Sequence, residues 1–244
     1  MAGVGPIAVQ VVGRQLRRER PRRVAEPDRA ISGPVFSNFS HLSALTSLDL
    51  SGNSIIGPLP DGDLNQCHSL LRLNLSHNLI TESLNVSGLT RLQILDVSGN
   101  RLQGGVAVNF PAICTDLTFL DLSTNNLTDN ITNLLDRCAR LEYVDLSSIN
   151  FNGELWPSVP RFRKFSAGEI DILQSSTFPD GCMLQSLDLS ENQLLGNFPD
   201  SIARCVKLTY MSLWGNNFTG MIPAGTGKLA ALETLILGNN GFDR

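Results

Sequence analysis

Leucines and their apolar substitutes recur along most of this chain in one spacing, L-x-x-L-x-L-x-x-N. The pattern reads LTSLDLSGN at 45–53, LLRLNLSHN at 70–78, LQILDVSGN at 92–100 and LTFLDLSTN at 117–125. It continues as LEYVDLSSI at 141–149, a degenerate FRKFSAGEI at 162–170, LQSLDLSEN at 184–192, LTYMSLWGN at 208–216 and LETLILGNN at 232–240. Successive copies start 25, 22, 25, 24, 21, 22, 24 and 24 residues apart. In a strand alternate side chains share a face, so the two leucines of each L-x-L point into one interior. The residues between them point away. Each copy therefore predicts one short strand. No copy can bury its apolar side by itself, so neighbours must stack, their strands side by side in a parallel sheet about 4.8 Å apart.

The closing asparagines are Asn53, Asn78, Asn100, Asn125, Asn192, Asn216 and Asn240. A buried amide must find partners, so they predict a ladder bonded to the backbone of adjacent turns. Ile149 and Ile170 break that ladder. Asn150, one place late, is expected to substitute in part through a bulge. After the ladder come IGPLP (56–60), LGNFP (195–199) and TGMIP (219–223), where Gly permits a tight turn and Pro stiffens the chain after it.

A period in the twenties with this motif marks the leucine-rich repeat. With the Gly and Pro positions, residues 30–244 resemble the plant-type repeats of receptor-like serine/threonine kinases and related receptor-like proteins. The resemblance implies a solenoid of about nine leucine-rich repeats. Its parallel sheet would line the concave wall, with mostly loops and short 3-10 or helical turns on the convex side. Residues 151–183 depart from the pattern. The implied function is recognition in signal transduction, as part of a kinase ectodomain on the extracellular side of the plasma membrane. Its partners would be a peptide, small-molecule or protein ligand and a co-receptor. A secreted leucine-rich-repeat inhibitor and an intracellular scaffold are the other binding readings. No HRD, DFG or glycine-rich kinase loop occurs in the sequence, so catalysis would need a domain beyond this chain and no enzyme is expected here.

Charge changes little in this picture. The net charge of -4 offers no global basic field for nucleic acid. The basic residues are uneven, however, with six of the nineteen Lys and Arg in RQLRRERPRR, 14–23. No apolar run is long enough to span a membrane. The start, MAGVGPIAVQVVG, lacks a basic n-region and is interrupted by Gly5, Pro6 and Gln10, so it makes no clear signal peptide. Ile31 falls at the eleventh position of an earlier repeat. Projected backwards, that repeat places Pro21, Val24, Glu26 and Arg29 where three leucines and an asparagine belong, and only Val24 suits its place. Residues 1–29 are therefore expected to be a disordered basic arm, and 30–244 a solenoid without caps. A solenoid needs caps over its exposed core. The chain is accordingly expected to be a piece of a longer protein, prone to aggregate by itself.

Cys67, Cys114, Cys138 and Cys205 each precede a first motif leucine by three residues, and Cys182 precedes Leu184 by two. A shared phase predicts small buried thiols packed between turns, with parallel side chains that oppose bridging. Cys114 and Cys138 are the pair read as falling in adjacent repeats and within disulfide reach. No CxxC pair or histidine cluster suggests a metal, and no cofactor is expected. AGTGKLAAL (224–232) lacks the first Gly and the Ser or Thr of a phosphate loop. Sequons at Asn38, Asn74, Asn85, Asn126, Asn130 and Asn217 are candidate glycosylation sites if the chain is secreted.

Alternation puts the third, fifth and seventh motif positions on the open wall. The fifth is mostly aspartate, which is this repeat's usual wording and reads as a solvated face. The third varies, and it supplies aromatics. Phe119, Tyr143, Lys164 and Tyr210, with Trp214 at a seventh position, form the candidate binding surface, since exposed aromatics on a rigid wall make binding anchors.

Overall fold

The computed structural model describes residues 23–25, 27–28, 30–33, 42–59, 64–106, 110–130, 135, 137–152, 159–168 and 177–243. It is a leucine-rich-repeat solenoid. The strands of the successive motifs lie side by side in one ten-stranded sheet that runs from Arg23–Ala25 to Thr234–Ile236. Every pairing described in it is parallel, and third position meets third position throughout, as in Ile94↔Phe119↔Tyr143↔Lys164↔Ser186↔Tyr210. The fourth-position residues, Leu48, Leu73, Leu95, Leu120, Val144, Phe165, Leu187 and Met211, form a fully buried spine. Leu235 is 41% exposed, because the last strand has a neighbour on one side.

The asparagine ladder forms as expected. Asn100 Nδ2 donates to the carbonyls of Leu75 (2.9 Å), Val97 (3.0 Å) and Ser98 (3.2 Å), while its Oδ1 accepts from Ile80 N at 3.1 Å. One side chain thus ties two turns together. Asn78, Asn125, Asn216 and Asn240 repeat the arrangement, each amide reaching a carbonyl of the turn before it. Asn150 takes no part. Thr128 pairs with Asn150 in the same register that Leu195 keeps with Asn217, so no bulge shifts it inward, and its Nδ2 donates instead to Asn126 Oδ1 at 3.2 Å. Ile149 keeps the ladder place and is buried. Ile170 lies outside the described residues.

Short 3-10 turns, such as Asp200–Arg204 and Ala224–Lys228, occupy the side away from the ten-stranded wall. That side also carries more strand than expected. Three parallel three-stranded sheets form a second wall from the residues just after the ladder, among them Asn126–Asn130 flanked by Gln103–Gly104 and Asn150–Asn152. Stacked turns bring these backbones side by side as well, and they pair in parallel with a register offset by two motif positions, as in Leu195↔Asn217.

Two expectations are corrected. The ten-stranded sheet begins inside the segment assigned to the arm: Arg23–Ala25 pairs with Ser47–Asp49, with Val24 opposite Leu48. Asp28 N then donates to Ser51 O at 3.0 Å and Ile31 N to Asn53 Oδ1 at 2.9 Å. A strand pairs through its backbone, so poor motif residues at 21, 26 and 29 did not prevent it. The expected arm before residue 23 lies outside the described residues. The thiols were also misjudged, for Cys114–Cys138 and Cys182–Cys205 are disulfides. Stacking brings their Cα atoms to 4.3 and 4.8 Å, and parallel side chains one strand spacing apart need only turn toward each other. The second pair, also from adjacent repeats, was hidden by the one-residue phase slip of Cys182. Cys67 is buried and belongs to neither bond.

Candidate binding wall

The third-position row gathers three of the expected residues into one cluster. The rings of Phe119 and Tyr143 stack with centroids 4.0 Å apart and an interplanar angle of 12°. Lys164 Nζ donates to the Tyr143 hydroxyl at 2.9 Å and stands 4.6 Å from its ring centroid, a cation–π contact. Register explains the grouping, since Phe119, Tyr143 and Lys164 are direct neighbours on consecutive strands. Ile94 is the next neighbour beside Phe119 and extends the apolar strip. Burial works against the Lys164 charge, but the Tyr143 hydroxyl and the Asp145 and Asp121 carboxylates outweigh it and raise the ammonium pKa. Burial pushes the Tyr143 phenol up, with Lys164 pulling the other way.

Tyr210 and Trp214 lie apart. Two strand steps separate Lys164 from Tyr210, about 10 Å at the usual spacing. The Tyr210 hydroxyl faces Asp188 Oδ2 at 3.5 Å. Trp214, 39% exposed, lies over Gly238, where a Cβ would come within 3.3 Å of the indole. The surface is thus a compact cluster plus a separate aromatic pair.

The aspartate row has a local task. Asp121 Oδ1 accepts from Ser123 N at 3.0 Å and from Ser123 Oγ at 2.6 Å, closing the chain where it leaves the strand. Asp49, Asp96, Asp145 and Asp188 do the same with Ser51, Ser98, Ser147 and Ser190, and Asn74 with Ser76. Burial is the main reason the Asp121 carboxyl titrates above its usual value; Asp145 and Asp96 add to the rise, and the Ser123 bonds oppose it.

Two of the sequons, at Asn126 and Asn217, lie exposed on the second wall. Asn74 lies on the ten-stranded wall and Asn85 is half-buried. Asn38 and the Asn130 side chain lie outside the described residues. Among the described residues no group of three or more His, Cys, Asp or Glu side chains could hold a metal ion. No helix among them is long and apolar enough to cross a membrane. A stacked aromatic pair with a fixed cation at one end and carboxylates along one side can hold a ligand.

A leucine-rich-repeat family model matches residues 43–102, and a second matches 183–205 and 207–229. None of the curated proteins matches the chain in sequence. Among solved structures, the plant peptide hormone receptor RGFR1 in complex with RGF2 is 24% identical with a TM-score of 0.76, over 87% of this chain and 39% of that one. The Arabidopsis receptor kinase HAESA, in complex with the peptide hormone IDA and the co-receptor SERK1, is 25% identical with a TM-score of 0.76, over 87% of this chain and 36% of that one. A plant ice-binding protein is 24% identical with a TM-score of 0.76, over 91% of this chain and 72% of that one. The chain thus spans well under half the length of the two receptors.

Proposed function

We propose that this chain is a recognition module of the receptor-ectodomain kind, binding an extracellular peptide along its ten-stranded wall in cell-surface signalling. The observation that carries the proposal is the stack of Phe119 on Tyr143 closed by Lys164. An extended peptide matches a wall of parallel strands because one side chain can pack against the stacked aromatic pair while its neighbours meet Lys164 or the carboxylates. Both receptors above were solved with peptide hormones, and one with a co-receptor, which a neighbouring stretch of the same wall would meet here. Tyr210 and Trp214 are our candidates for that second contact. The two disulfides support extracellular placement, since such bonds persist in oxidising compartments. Any kinase activity would belong to sequence beyond this chain.

Ice binding suits the second wall less well. Its strands pair Ile56 with Leu79, Gln103 with Asn126 and Leu195 with Asn217, too irregular in size and polarity to match a lattice.

The test is selection of a displayed random-peptide library on the whole chain. Peptides enriched on it should lose about tenfold or more in affinity on the double variant Phe119→Ala, Tyr143→Ala, with circular dichroism unchanged. Equal affinity for both proteins would move the site off this cluster.

A further inference from the structure

On the second wall, beside the strand Asn126–Asn130, lies a shallow, wide-open groove of about 480 Å³ lined by Glu82, Ser83, Gln103, Gly104, Asn126 and Thr128. Asn126 and Thr128 are the two ends of the sequon Asn126-Leu127-Thr128, and both are exposed while Leu127 is buried. Alternation in the strand therefore turns the acceptor amide and its hydroxyl outward together, with the residue between them as the anchor.

The amide is also oriented. Its Oδ1 accepts from Asn150 Nδ2 at 3.2 Å, and Asn150 belongs to the strand on one side. Gln103 and Gly104 belong to the strand on the other side, and Glu82 and Ser83 lie one turn beyond, where Gln103 N donates to Glu82 O at 2.9 Å. With its oxygen held toward Asn150, Asn126 lines the groove. Gly104, at φ +79°, has no atom within 4 Å of the place a Cβ would take, so the groove stays open there.

We infer that Asn126 carries an N-linked oligosaccharide and that its first sugar seats in this groove. In the transfer step Asn126 Nδ2 attacks C1 of the sugar of a lipid pyrophosphate-linked oligosaccharide. The C1–N bond forms, the C1–O bond breaks, the lipid pyrophosphate leaves with the electron pair, and Nδ2 gives up one proton. Nothing is oxidised or reduced. Gln103 Nε2 donates to Glu82 Oε2 at 3.4 Å, and the Ser83 hydroxyl, the Gln103 carbonyl oxygen and the second Glu82 oxygen supply the donor and acceptors that sugar hydroxyls and an acetamido group require.

The other described sequons lack this setting. Asn74 stands in the ten-stranded wall with its oxygen held by Ser76 N (3.0 Å) and Ser76 Oγ (2.8 Å), and Ser76 is only 5% exposed. The Asn85 oxygen accepts from both Ser87 and Asn65 in a half-buried site. Asn217 is exposed, but its cross-strand neighbour is the exposed apolar Leu195. A glycan at Asn126 leaves the Phe119–Tyr143 cluster uncovered, because it rises from the second wall.

Entry into the secretory pathway rests on the extracellular reading above. A heterologous secretion leader supplies it whether or not that reading holds, so the two can fail separately. The full chain is secreted from a glycosylating eukaryotic cell, and oligosaccharides are released by amidase in heavy-oxygen water. Peptide mass spectrometry should then find Asn126 converted to labelled aspartate. An unmodified Asn126 in secreted, folded protein overturns the assignment. For seating, one portion is trimmed to a single sugar by endoglycosidase and another is freed of sugar. The single-sugar form should melt about 1–3 °C higher. That difference should vanish in the variant Ser83→Ala, Gln103→Ala, which keeps the same amide-to-carboxylate change. Equal melting of the two wild-type forms, or a difference that survives the variant, overturns the seating.

Discussion

Between Leu45 and Asn125 the repeats are joined by side-chain amides, whereas from Leu141 to Ala167 the described residues are joined by other means, until Asn192 Nδ2 donates to Ala167 O at 2.7 Å. In the first stretch Asn53, Asn78, Asn100 and Asn125 each accept a backbone N–H from the turn before. The next place holds Ile149, 2% exposed, which has no oxygen to offer. The sheet continues regardless. Tyr143–Leu146 and Lys164–Ala167 pair over four residues where their neighbours pair over three, and Gly168 N adds a bond to Leu146 O at 3.3 Å. Phenylalanines fill the interior: Phe162 lies 5.9 Å from Phe165 between ring centroids, and Phe178, Phe198, Phe218 and Phe242 succeed one another toward the C-terminal end. A disulfide sits on each flank, Cys114–Cys138 before the gap and Cys182–Cys205 after it. Backbone pairing and filled volume therefore sustain the solenoid where the amide is lost. The cluster proposed to bind lies at this boundary, with Phe119 from a regular repeat and Lys164 from the degenerate one.

The largest break in the comparison should come from the cross-link on the C-terminal side of the gap. Removing it with Cys182→Ser and Cys205→Ser opens a loop closed over a sequence separation of 23, worth about 3 kcal/mol in unfolded-chain entropy. We expect urea unfolding of the double variant to show that loss. A loss under about 1 kcal/mol would mean that aromatic packing alone holds the region.

The two kinds of joint can next be exchanged. Asn100→Ala leaves Ile80 N without its acceptor and Ser98 O without the amide, while the Leu75 and Val97 carbonyls keep Asn78 and Asn125 as donors. We expect a cost of about 2–3 kcal/mol. Ile149→Asn runs the other way. It gives up the burial of an isoleucine, about 2–3 kcal/mol, and regains ladder bonds worth about 1 kcal/mol each. The two nearly cancel, so stability should change by less than about 1 kcal/mol. A large loss at Ile149→Asn would show that the turn has closed around the isoleucine and no longer admits an amide.

The regular stretch was the legible one. Its strands, its ladder and its third-position neighbours are dictated by spacing, because a repeat states its register many times over. The irregular features are single events. Cys182–Cys205 was missed because one residue of phase slip hid it. Asn150 was expected in the ladder because its residue type fitted, but pairing with Thr128 turned it outward. The strand at Arg23–Ala25 was dismissed on side chains, though backbone bonds make it. Nothing in the sequence announced the groove beside Asn126, which needs three turns to line it.

The smallest effect concerns the aspartates, which both stretches share. Asp121 stands in a half-buried site between Asp96 and Asp145, and its folded-state pKa is raised from the ordinary 3.8, chiefly by burial. Between that value and the raised one the folded state holds more protons than the unfolded state, so stability falls as pH rises through the window. Above it the ionised carboxylate remains a standing cost, and below 3.8 both states are protonated and the cost is absent. Asn74 shows what can replace it, since it makes the same two bonds to Ser76 without a charge. Asp121→Asn should keep the strand-end bonds to Ser123 and raise the melting temperature at pH 7 by about 1–3 °C. At pH 3 the gain should disappear. An equal gain at both pH values would trace the effect to packing and not to charge, and a loss at pH 7 would show that Ser123 requires a carboxylate.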